Sequence, residues 1–302
     1  MTYTRENADF ESRETRCAAW LYRPEGDERN DPPIVVMGHG FGGTRRMGLP
    51  AYAERFANRG LAVLVFDYRG FGDSDGRHRN IVDPTRHLED WRAAVDHARG
   101  LADVDGNRVG VWGTSFSGGH ALVTAAREDV DAYVGQVPYY GNAPSPVDVF
   151  MAYGTRYVVG MLGATIRDLI RDWTFRSPYY VPIVAEPGEL APLNQPGAAS
   201  GYRSIVPDDL DEETWNRCAA RIFLSVGAYE PREYAADIDC PAFVFQANRD
   251  RLVSADAIEQ VVDRLDDVER VREECGHFDP YTGELFEDLV DRQADFLVQH
   301  LG

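Results

Sequence analysis

The sequence contains no lysine: all 31 basic residues are arginine, set against 50 acidic residues, for a formal net charge of −19 over 302 residues. That balance argues against a nucleic-acid partner, because phosphate binding needs a concentrated cationic stripe that releases counterions. The same excess repels an anionic membrane surface. Cysteine is scarce, with Cys17, Cys218, Cys240 and Cys275 the only four. They form no CxxC pair and no Cys/His cluster at zinc spacing, which argues against a disulfide framework or a structural metal and fits free thiols in a reducing compartment. No apolar run approaches the ~18 residues of a membrane span, and the opening MTYTRENADF lacks the apolar core of a secretion signal. The expectation is a cytoplasmic protein without cofactor or metal. Oligomeric state is not legible in the composition.

What is present is an α/β pattern. Hydrophobic residues are 44% of the chain, charged residues 27%, with 28 Gly and 17 Pro, so disordered, collagenous and coiled-coil classes do not apply. Strands are predicted at Ile34–Met37, Ala62–Phe66, Val109–Trp112, Ala132–Val137, Ala242–Gln246 and Val268–Arg272. Helical patterns near 50–59, 83–99, 117–127, 254–265 and 283–300 lie between them, as a mainly parallel sheet covered by helices on both faces requires. Ahead of these, Ala8–Ser12 and Arg16–Tyr22 read as an antiparallel opening hairpin. After Tyr139-Tyr140-Gly141 the rhythm breaks for about a hundred residues, too long for a structureless connection. A helical stripe at Val147, Phe150, Met151, Tyr157, Val158, Met161 and Leu162 reads as a packed face, and Trp173, Phe175, Tyr179, Tyr180 and Tyr202 follow it. The expected organisation is a core over 1–141 and 236–302, with a mostly helical cap inserted over 142–235 as a substrate roof.

Three segments carry chemistry. The strand Arg108–Trp112 runs into Gly113-Thr114-Ser115-Phe116-Ser117-Gly118-Gly119-His120 and then an Ala-rich helix, a strand, a tight turn and a helix with serine at the apex. Small residues two before and two after that serine let the backbone bend sharply enough to raise its hydroxyl out of the sheet. A serine nucleophile needs a base, and the base an orienting partner. Asp250 follows the strand Ala242–Gln246, and His277 follows Val268–Arg272 in Glu274-Cys275-Gly276-His277.

These segments together resemble the serine-nucleophile α/β-hydrolase superfamily, in its esterase and dipeptidyl-peptidase-like branch. The elbow is similar to Gly-x-Ser-x-Gly, with Ser117 standing where the final glycine would be. The resemblance implies an α/β-hydrolase fold and the triad Ser115, Asp250 and His277, in the order Ser, acid, His. Gly38-His39-Gly40-Phe41-Gly42-Gly43 resembles the oxyanion loop, so the backbone N–H groups of Phe41 and Phe116 are the implied oxyanion donors. Tyr139, Tyr140 and His120 are the expected pocket residues. Asp67-Tyr68-Arg69-Gly70 is similar to a further superfamily loop and reads as structural, with Asp67 and Arg69 as buried partners. Among other carboxylates Asp279 is the nearest rival to Asp250, and His78, His87, His97 and His300 read as surface or satisfied residues.

Alternatives stay open at this point. Ser115-x-Ser117-x-Gly119 would make Ser117 the nucleophile, inside the first helical turn. Gly38 to Gly43 also satisfies G-x-G-x-x-G after a strand, as in an NAD(P)-dependent oxidoreductase, although Thr44–Pro50 continues as loop where a nucleotide site needs a helix. A non-catalytic ligand-binding protein on the same scaffold is a third possibility. A serine nucleophile implies a carboxylic-ester hydrolase acting on a small-molecule ester through an acyl-enzyme, with peptide, thioester and C–C substrates as alternatives on the same triad. The acidic, lysine-free composition also resembles that of proteins from halophiles, since around 1 M salt the screening length falls to roughly 3 Å and self-repulsion fades; a GC-rich genome gives the same Arg-for-Lys signature.

Overall fold

The computed structural model describes residues 2–25 and 31–302. The elements, in chain order, are β1 (Tyr3–Asn7), β2 (Phe10–Ser12), β3 (Thr15–Cys17), β4 (Ala19–Pro24), β5 (Pro33–Gly38), α1 (Leu49–Asn58), β6 (Ala62–Phe66), α2 (Pro84–Arg99), β7 (Asp105–Thr114), α3 (Phe116–Ala125), β8 (Ala132–Gln136), α4 (Pro146–Trp173), β9 (Tyr180–Val181), α5 (Ala198–Ser204), α6 (Glu212–Trp215), β10 (Cys218–Ala219), α7 (Ile222–Ser225), β11 (Ala242–Ala247), α8 (Ala255–Val262), β12 (Val268–Glu273) and α9 (Gly283–Leu301).

Eight strands form one sheet in the order β1-β4-β6-β5-β7-β8-β11-β12, parallel from β6 to β12, with β4 and β1 added antiparallel at one edge. β5 and β6 are apolar and buried at every position because both faces of the sheet are covered. Ile34 and Val36 of β5 point into a core shared with α2, α3 and α8, while Val35 and Met37 point into a second core shared with α1 and α9. This is the α/β-hydrolase fold.

The expected opening hairpin is present and longer than expected: β2 pairs with β3 about the turn at Arg13 and Glu14, β1 and β4 continue the same antiparallel register, and β4 then joins β6 on the main sheet. The tight turn sets that register. The strand predicted through Val137 ends at Gln136, because Val137 turns to φ 40°. Capping accounts for several helix starts: Asp83 accepts from the Thr85 and Arg86 amides ahead of Pro84, and Ser145 forms a reciprocal capping box with Asp148 ahead of Pro146.

β5 connects to β6 on one side and α2 then carries the chain across to β7 on the other, so the loops after β5 and β7 part and leave a crevice at the strands' carboxyl ends. Residues 137–241 fill the region above that crevice. They contain α4, α5, α6, α7 and the two-stranded pair β9–β10. Asp168, fully buried, fastens α4 down by accepting from the Tyr179 and Arg221 amides at 2.8 and 3.0 Å and from Arg221 Nε at 2.7 Å. The apolar stripe expected to pack is not all packed: Val147, Phe150, Met151 and Leu162 are exposed, as are Trp173 and Phe175. Tyr157 and Met161 instead face the crevice.

Candidate active site

Ser115 stands between β7 and α3 with φ 56° and ψ −124°, a strained region for a residue with a Cβ. Its own peptide groups hold it there: its N–H donates to Gln136 O at 2.8 Å, and its carbonyl accepts from Gly118 N and Tyr139 N at 2.9 and 2.8 Å. Glycine is required on both sides of the turn, since a Cβ at Gly113 would run into the Ser117 carbonyl and one at Gly119 into the Tyr139 carbonyl. Ser117, where the motif has glycine, is fully buried, and its hydroxyl shares a 2.7 Å hydrogen bond with Tyr68 OH. It therefore points away from the crevice that the Ser115 hydroxyl faces.

His277 Nε2 lies 3.0 Å from Ser115 Oγ, and His277 Nδ1 lies 2.6 Å from Asp250 Oδ2. The other oxygen, Asp250 Oδ1, accepts from the Leu252 and Val253 amides at 2.7 and 3.2 Å, so the carboxylate is held at both ends. The rival Asp279 is engaged elsewhere, accepting from the Gly276 amide at 2.7 Å and closing the turn that carries His277. A serine hydroxyl, an imidazole and an oriented carboxylate in this chain are equipped for proton transfer and nucleophilic attack.

The loop after β5 comes up against Ser115: a Cβ on Gly40 would sit 3.1 Å from Ser115 Cβ. The N–H groups of Phe41 and Phe116 donate to no acceptor among the described residues. For Phe116 this follows from its place at the start of α3, where no earlier turn offers a carbonyl. No helix opens after Gly43; α1 begins only at Leu49, so the glycine run does not build a dinucleotide site. Among the described residues no cluster of His, Cys, Asp and Glu is placed to hold a metal ion.

A cavity of about 260 Å³ opens from Ser115, walled below by Phe41, Phe116 and Tyr139 and above by Tyr153, Tyr157 and Met161 of α4. A recess of about 30 Å³ lies on the other side of Ser115, against His277, Phe278 and Tyr281. The sequence reading missed most of the roof, although Tyr153, Tyr157 and Met161 recur every four residues, the signal of one helix face.

Two expected pocket residues are elsewhere. His120 is fully buried behind the elbow, its Nε2 3.2 Å from His87 Nδ1 and its Nδ1 2.5 Å from Tyr229 OH. Tyr140 is buried with its hydroxyl 2.6 Å from that of Tyr133. Burial lowers the pKa of His120 to about 3 and that of His39 to about 4, and drives His87 well below the usual imidazole range. All three are neutral scaffold groups. Asp67 and Arg69 are both buried but are not each other's partners: Asp67 pairs with Arg45 at 2.6 Å, and Arg69 with Glu89 and Asp90 at 2.7 and 2.6 Å. Burial raises Asp67 to about 6 in spite of Arg45.

Comparisons with known proteins place the chain in a family. The family model described as serine aminopeptidase, S33, matches residues 29–178. The quorum-quenching protein AidA of Acinetobacter baumannii is 38% identical over 292 residues, spanning 96% of this chain and 93% of its own. The thiohydrolase aneE of Aspergillus aculeatus is 40% identical over 93 residues, 31% of this chain and 29% of its own. Among solved structures, the α/β hydrolase GrgF from Penicillium sp. sh18 superposes with a TM-score of 0.81 at 22% identity, covering 99% of both chains. The chain belongs to the serine α/β-hydrolase superfamily, and it is a hydrolase.

Proposed function

We propose that the protein hydrolyses carboxylic esters of small molecules through an acyl-enzyme formed on Ser115. The observation that carries this reading is the unbroken run from Ser115 Oγ to His277 Nε2 at 3.0 Å and from His277 Nδ1 to Asp250 at 2.6 Å, at the floor of a cavity. As Ser115 Oγ attacks the ester carbon, His277 takes its proton, and Asp250 favours the imidazolium. The carbonyl oxygen, now an oxyanion, receives the free N–H groups of Phe41 and Phe116, donors each worth about 2.7–4 kcal/mol of barrier in comparable sites. His277 then returns the proton to the departing alkoxide. Water repeats the cycle, giving up its proton to His277 and releasing the acid.

The shapes of the two spaces beside Ser115 support an apolar acyl group under the cap and a small leaving group in the recess. A thioester is the second reading, favoured by the thiohydrolase relative; it needs the same attack with an easier leaving group. Aminopeptidase action is disfavoured because a substrate ammonium needs a carboxylate nearby, and none lines the cavity. We place the protein in a reducing, salt-rich cytoplasm, in keeping with four free thiols, three of them buried, and with its charge. A panel of p-nitrophenyl esters, acyl thioesters and aminoacyl anilides, assayed at about 2 M salt to screen the carboxylates, tests the reading. Turnover of short-chain esters above anilides supports it; turnover of anilides alone overturns it.

A further inference from the structure

About one residue in six is acidic in this chain, yet none lies between Asp148 and Asp168. That stretch is most of α4, whose side chains divide into two faces. Tyr153, Tyr157 and Met161 line the cavity, and Ala164, Thr165 and Asp168 are buried on the same side. The opposite side presents Val159, Leu162, Ile166, Leu169 and Trp173, which are 62, 46, 56, 42 and 82% exposed, with Ile170 beside them at 55%.

The intervals along that side are three, four, three and four residues. This is the two-position seam of a helix packed on one other helix, narrower than the stripe of a helix lying on a globular core. The seam lies on one straight segment. The only break in α4 is at Gly154, with φ 75° and ψ 178°, and the residues after it run for about 28 Å at 1.5 Å each.

We propose that this seam is a dimer interface, covered by α4 of a second copy of the chain lying antiparallel about a two-fold axis near Gly163. Three observations favour a second copy as the occupant. First, a two-fold contact needs a patch that complements itself, and this seam does: an axis near Gly163 sets Leu162 against the partner's Ile166, and Val159 against the partner's Leu169. Gly163 is exposed and a Cβ there would meet nothing within 4 Å, so the two helices can approach closely. Second, two copies carrying −19 each repel on almost any approach, but from 149 to 167 the only charges are Arg156 and Arg167, so no carboxylate meets a carboxylate there. Third, all six apolar side chains lie on one straight helical segment, the shape that a single helix of a second copy covers along its length. An anionic lipid surface would instead have to accept the rest of an acidic body. Because the other face of α4 roofs the cavity, pairing braces the roof over the nucleophile.

Sedimentation velocity on the full chain tests this without any catalytic readout. At about 2 M salt the expected particle is twice 33.8 kDa, with self-association weakening as salt is lowered and repulsion returns. Ile166→Glu and Leu162→Glu each weaken the dimer by 100-fold or more, the milder Ile166→Gln weakens it less, and near-UV circular dichroism is unchanged. Leu224→Glu, at a 55% exposed leucine on α7, leaves the dimer intact. A wild-type monomer up to about 100 μM, within reach of ordinary dimer affinities, overturns the proposal. So does a dimer indifferent to both α4 glutamates, or a monomer that co-sediments with phosphatidylglycerol vesicles.

Discussion

The floor and the roof of the cavity are built on opposite principles. Every residue of α3, which follows the turn at Ser115, is buried, and the polar groups behind it are tied to one another: Ser117 to Tyr68, Tyr68 to Trp91, His120 to His87 and Tyr229. Along the 28 residues of α4 only Ala164, Thr165 and Asp168 are buried. Close packing fixes positions to fractions of an ångström, which proton transfer and attack require. A helix held within its own chain by one buried carboxylate and a few cavity-facing side chains is free to differ in chemistry, as a specificity element does, and takes further bracing from pairing. On the proposed function, chemistry resides in the floor and selection in the roof.

The largest expected effect breaks the floor. Ser115→Ala lowers kcat by about 10⁶, the loss seen when a triad serine is removed, while the cavity still binds substrate; a stopped-assay comparison at saturating ester measures it. Asp250→Asn lowers kcat by about 10⁴, because the amide no longer favours the imidazolium or the right tautomer, and the pH–rate profile shifts with it.

Next is acid. His39, His87 and His120 have pKa values lowered in the folded state, so their contribution to stability is complete above the unfolded value of 6.5 and is lost as pH falls towards about 4. His39 alone accounts for about 3 kcal/mol of that loss, because each tenfold fall in proton affinity is worth about 1.4 kcal/mol. Asp67, raised to about 6, acts with the opposite sign between its unfolded 3.8 and 6 and offsets part of it. Urea unfolding at intervals from pH 7 to 4.5, at fixed salt, should show a steady decline; a flat profile removes the neutral-histidine account of the floor.

Changes in the roof are smaller and more local. Asp168→Ala leaves Arg221 and two amides without their acceptor, at a cost of about 3 kcal/mol for a broken buried pair. Hydrogen exchange should quicken over α4 and residues 174–182 before it quickens in the sheet. Equal acceleration in both would show that floor and roof are one cooperative unit. Tyr157→Ala enlarges the cavity and raises KM severalfold with kcat nearly unchanged, the signature of lost uniform binding.

The same division decides what was legible in the sequence. The sheet strands from β5 onward and their helices follow from hydrophobic period and capping, and Ser115, Asp250 and His277 sit in short motifs whose meaning is local. What eluded the sequence depends on where a side chain points once the chain is folded. His120 lies one helical turn past the elbow, yet its ring is turned into the core against His87. Tyr140 follows Tyr139 directly, but only Tyr139 reaches the cavity. On α4 the apolar residues were visible, whereas their separation into a cavity face and an exposed face was not, because both are apolar and no polar stripe marks the boundary. The opening hairpin was legible as well, and β1–β4 extends its register outward from the same turn.

The most direct measurement is covalent labelling with a fluorophosphonate in high salt, followed by peptide mass spectrometry. The account predicts one adduct, on Ser115, abolished in Ser115→Ala and in His277→Ala and retained in Ser117→Ala. An adduct on Ser117, or a folded protein that takes up no label, contradicts it.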